Sequence, residues 1–103
     1  MTVVVAMVTD LMDRSRITAA IDGPITFVRR LDPDTLGGAD VVLVDLTRLE
    51  DVGALRAAAP NVRIVAFGPH VDDESLEAAR GAGIDVVVAR SQFFRDPAGY
   101  LDG

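Results

Sequence analysis

Several chemistries are ruled out by what this 103-residue chain lacks. It has no cysteine, so disulfides, thiolate metal sites and cysteine nucleophiles are excluded. It has no lysine; all ten basic residues are arginine. That removes Schiff-base chemistry, a P-loop lysine and lysine-assisted phosphate transfer. The Arg- and Ala-rich composition fits a GC-rich genome. A single histidine, His70 in the turn-like "GPH", has no nearby base or metal-ligand partner and reads as a polar loop residue. No apolar run is long enough to span a bilayer, and "MTVVVAMVTD" lacks the basic flank of a signal peptide. The chain therefore reads as soluble and cytoplasmic. Its formal charge of −6 argues against nucleic-acid binding by this domain alone, because phosphate contacts need clustered cations. No Gly-rich phosphate loop follows the first apolar run, and "LGGAD", preceding a strand, reads as a plain turn.

Half of the residues are hydrophobic, enough for one compact domain over 1–103. Four Val-rich runs stand out: 2–8, 40–44, 62–67 and 85–89. They do not alternate with polar residues, as expected of parallel strands buried on both faces. A fifth, "ITFVRR" (25–30), ends in charge and reads as an edge strand. Between them lie helical patterns over 10–22, 49–60 and 72–83, a segment at 31–38 with room for about one turn, and a short helix after Pro97. Five strand–helix units make a parallel α/β sheet with right-handed crossovers. Ligands of such sheets sit beyond the carboxyl ends of the strands. The residues to inspect there are Thr9, Asp10, Asp45, Thr47, Gly68 to His70, Arg90 and Ser91.

That pattern resembles the response-regulator receiver (CheY-like) family over nearly the whole chain. "VVLVDL" matches the family's third strand, with Asp45 at the phosphoacceptor position. "AFGPHVDDESLEAARGAGIDVVVARS" matches the stretch from the fourth strand to the fifth. The resemblance implies a flavodoxin-like, doubly wound three-layer sandwich with strand order 2-1-3-4-5. The second and last helices would be shortened here. In the same register Gly68 replaces the family's Thr or Ser, Arg90 its Lys, Ser91 its Pro, and Val87 an aromatic. Thr9–Asp10 stands in for an acidic pair. The resemblance is thus to a degenerate, pseudo-receiver type.

Without those groups, Asp45 reads as a strand-end carboxylate bonded to nearby backbone, or as a relic phosphoacceptor. With Asp10 it would form at most a weak metal site. Mg²⁺ is expected only if the receiver site still works, and otherwise no cofactor. Asp10 doubles as an N-cap of the first helix. Arg90 is expected to form an ion pair with Asp45 or, with Gly68 beside it, to receive an anion. Asp13 is expected to face solvent. Phe93, Phe94, Tyr100 and Leu101 either pack the last helix or leave an apolar patch.

The leading expectation is a stand-alone regulatory module that works by protein contact and has no catalysis of its own. A homodimer would use the face made by the fourth helix, fifth strand and fifth helix. The alternatives are an atypical regulator phosphorylated at Asp45 and a small-molecule or nucleotide-binding domain.

Overall fold

The structure is a computed structural model and describes residues 2–29, 38–46, 56–57, 60–69 and 72–101. Its elements are β1 (Val4–Met7), α1 (Leu11–Ala20), β2 (Ile25–Phe27), β3 (Val41–Asp45), β4 (Arg63–Gly68), α2 (Asp73–Ala82), β5 (Val86–Ala89), α3 (Arg90–Phe93) and α4 (Pro97–Leu101). All five strands are parallel, in the order β2-β1-β3-β4-β5. The Val-rich runs predict the parallel sheet, and its doubly wound, flavodoxin-like order is the one the receiver resemblance implies. The central runs are buried along their length because both faces are covered. β2 is half-exposed and lies at an edge, as its charged end implies.

Alternation along the strands divides the core in two. On one face Val4, Ala6, Val8, Leu43, Val65 and Phe67 pack with Ile17 and Ile21 near α1 and with Phe93 and Leu101 from the tail. On the other face Val5, Met7, Val42, Val44, Ile64 and Ala66 pack with Ala79 of α2 and with Ile84. α2 has both ends secured. Asp72 accepts from Ser75 N at 2.8 Å, and Gly83 closes the helix in the left-handed region, φ 94°.

The helix expected over 49–60 is seen only at Arg56 and Ala57, with Pro60 in a turn. The remainder of that segment, the short second helix within 31–37, Thr47 and His70 lie outside the described residues. The tail forms a helix from Pro97, as expected, but a further turn, α3, starts directly at the end of β5. Together they make a broken last helix. Phe93 stacks on Phe67 with ring centroids 4.9 Å apart, and Tyr100 lies 5.9 Å from Phe93. With Phe93 and Leu101 fully buried, the C-terminal aromatics pack the tail onto the sheet.

Candidate functional site

The carboxyl ends of β1, β3, β4 and β5 bring Asp10, Asp45, Gly68 and Arg90 to one edge. Asp10 caps α1: its Oδ1 accepts from Met12 N at 2.9 Å and Asp13 N at 3.0 Å. That satisfies two of the amides a helix start leaves open. Asp45 is the last residue of β3, half-buried and in register with Phe67.

Arg90 is directed at a residue the sequence reading placed in solvent. Its Nη1 donates to Asp13 Oδ2 at 2.6 Å and its Nη2 to Asp13 Oδ1, a bidentate fork. The expectations that Arg90 pairs with Asp45 and that Asp13 faces water are both corrected. Asp13 is only 2% exposed, whereas the Arg90 side chain is 38% exposed. The physical reason is helical phase. Asp13, Ile17 and Ile21 stand at i, i+4 and i+8, so Asp13 continues the inward-facing stripe of α1 to the site edge.

The guanidinium is also held by rings: its Cζ lies 5.0 Å from the Phe94 centroid and 5.9 Å from that of Phe67. Hydrogen bonding to Asp13 raises the Arg90 pKa above its ordinary value, against the opposing effect of burial. The charges of Asp13, Asp10 and Asp45 add to the rise. A raised arginine pKa contributes stability that is complete below the ordinary arginine range. That contribution is lost only as pH climbs beyond it, so Arg90 stays charged wherever the protein works.

Gly68 is buried at the end of β4. A Cβ built there would lie 2.9 Å from Leu46 Cδ1 and 3.1 Å from Leu46 Cβ. The Leu46 side chain thus covers the place where a Thr or Ser would stand. Val87 is half-buried and packs with the same apolar cluster as Leu46. Ser91 is exposed in α3, and Thr9 is exposed just before the cap.

Mg²⁺ takes several oxygen ligands in near-octahedral geometry. Here Asp10 is engaged as a cap and Asp13 by Arg90. Among the described residues no group of three or more His, Asp or Glu is placed to hold a metal ion. Nor is any helix among them long and apolar enough to cross a membrane. At the rim of this edge Leu11 and Met12 are exposed, at 75% and 70%.

Sequence reasoning missed Asp13, Leu46 and the ring support of Arg90. The i, i+4 spacing of Asp13 to Ile17 was a usable signal for the first. Nothing local announces the other two, which are contacts across the sheet.

No protein-family model matches the sequence, and no curated protein matches it. Solved structures do. A response regulator from Hahella chejuensis superposes with a TM-score of 0.84 at 19% identity, covering 99% of this chain and 93% of the other. A CheY-like protein, TadZ, from Pseudomonas aeruginosa gives 0.81 at 16% identity, covering 99% and 98%. A protein ascribed to pilus assembly, CpaE, from Burkholderia thailandensis gives 0.78 at 14% identity, covering 99% and 96%. The chain thus has the CheY-like receiver fold over essentially its whole length.

Proposed function

We propose that this chain is a degenerate receiver: a regulatory module that works by contact with protein partners, without phosphotransfer on Asp45 and without catalysis of its own. The observation that carries this reading is the bidentate Arg90–Asp13 pair. In the receiver resemblance the equivalent of Arg90 is a lysine that meets the phosphoryl group. Here that cation is committed to an internal buried carboxylate, and leaving Asp13 unpaired would cost several kcal/mol. Leu46 over Gly68 adds a second obstacle, because no hydroxyl can follow a phosphate there without displacing an apolar side chain. The likeness to a structure ascribed to pilus assembly supports a role inside a larger assembly. The acidic charge and the missing lysines suit a cytoplasmic protein that does not grip nucleic acid.

The test is intact-mass measurement after incubation with a small phosphodonor and Mg²⁺. No adduct is expected on the wild-type chain. A phosphate adduct that disappears in Asp45→Ala would overturn the reading in favour of an atypical phospho-acceptor. That second reading is favoured by one observation: Asp45 retains the half-buried strand-end position.

A further inference from the structure

We infer that copies of this chain associate front to back, the exposed side of α2 from one copy lying in a groove between α1 and the tail of the next. The groove is shallow and open, about 440 Å³, and is lined by Arg16, Ala19, Ala20, Phe94 and Pro97. Its floor is small and apolar. Its one charge is Arg16, exposed, with its Cζ 5.5 Å from the Phe94 ring centroid. Among the described residues Arg16 has no carboxylate or carbonyl partner, unlike Arg90 on the same ring. A guanidinium laid on an aromatic face keeps its edge donors free for an acid. The groove therefore fits a segment that carries carboxylates and is otherwise small enough to approach closely.

The chain itself presents such a segment. Glu74, Glu77, Ala78 and Gly81 are all exposed on α2 and recur at helical spacing. Two acids would reach Arg16 while Ala78 and Gly81 let the helix settle on Ala19 and Ala20. These two surfaces cannot meet within one molecule. Ile17 of α1 packs on one face of the sheet and Ala79 of α2 on the other. Their pairing is necessarily between molecules, and it is heterologous, so it builds a ring or an open stack instead of a two-fold dimer. This inference is separate from the phosphotransfer reading, and the phosphodonor result does not bear on it.

Sedimentation velocity on the full chain, over a wide concentration range and at low and high salt, tests it. Wild type should self-associate at low salt and dissociate at high salt, since the contact is charge-assisted. Arg16→Glu alone and Glu74→Arg/Glu77→Arg together should each weaken association about fivefold or more. An equimolar mixture of those two variants should recover it, because each groove then meets a helix of opposite charge. All these positions are exposed, and unchanged melting curves would show that the variants are folded. A wild type monomeric at every concentration would overturn the inference, including one that instead bound an added Glu-rich helical peptide. So would self-association that neither charge reversal weakens.

Discussion

Two arginines close the two ends of this sheet, and they do so differently. Arg56, at the amino edge, donates to three backbone carbonyls: Gly83 O at 2.6 and 3.0 Å, Val62 O at 2.8 Å and Pro60 O at 2.9 Å. It also pairs with Asp85 at 2.8 Å. Asp85 in turn accepts from Ile64 N at 2.8 Å. Arg90, at the carboxyl edge, grips one carboxylate and rests on two rings. The carbonyls that Arg56 serves are imposed by the fold, because helix and strand ends always leave such acceptors open. The carboxylate that Arg90 serves is imposed by the sequence: any apolar residue at position 13 would remove the need. One arginine secures backbone, and the other neutralises a charge that the site edge has buried.

The largest effect should come from separating the second pair. Arg90→Ala leaves Asp13 buried and unpaired, and should lower unfolding free energy by about 3 kcal/mol. Asp13→Ala leaves Arg90 facing water and should cost only about 1 kcal/mol. Asp13→Leu/Arg90→Met should return to within about 1 kcal/mol of wild type, since a packed apolar pair can replace a buried ion pair. Urea unfolding of the three variants measures this. A double variant as weak as Arg90→Ala would show that the pair is not exchangeable, and would break the distinction between the two edges.

Arg56→Ala should cost somewhat less, about 2 kcal/mol, because the freed carbonyls can take water. The informative measurement is again the double variant. Arg56→Ala/Asp85→Ala should be no more stable than Arg56→Ala, because removing the carboxylate returns nothing to Gly83, Pro60 and Val62. Arg56→Lys should recover little, since one ammonium cannot span those acceptors. Recovery on removing Asp85 would make the amino edge a simple ion pair like its counterpart.

This contrast also explains what could be read in advance. Four of the five strands were legible because continuous Val-rich runs such as Val41–Val44 need cover on both faces, and that requirement is local in sequence; the edge strand β2 was legible from its charged end. The ends of α2 were legible from Asp72 and Gly83, each of which acts within a few residues. The position of Asp45 at a strand end was legible too. The partner of Arg90 was not read correctly: Asp13 lies 77 residues away, and an aspartate on a short helix is solvated far more often than buried. Only its phase with Ile17 marked it. Leu46 over Gly68 was hidden for the opposite reason. The missing hydroxyl is visible in the sequence, but what fills its place depends on how the chain leaves β3.

Two glycines give the smallest and finest test. At the amino edge Gly83 sits at φ 94°, and an added Cβ would lie 2.9 Å from the Arg56 side chain. Gly83→Ala should therefore cost about 1–2 kcal/mol through the left-handed backbone alone. No change at Arg56 should remove that cost. At the carboxyl edge Gly68 has no positive φ, and its obstacle is the Leu46 side chain. Gly68→Ser should cost about 1 kcal/mol, the strain of overpacking one side chain. In a Leu46→Ala background the same substitution should lose most of that cost, as read by thermal or urea unfolding, because the Cδ1 contact is gone and only the milder Cβ contact at 3.1 Å remains. If Gly68→Ser stays costly without Leu46, the carboxyl edge is fixed by its backbone just as the amino edge is, and the missing hydroxyl is a constraint of the fold. If most of the cost vanishes, the receiver-like edge was closed by a side chain, and one pair of substitutions reopens it.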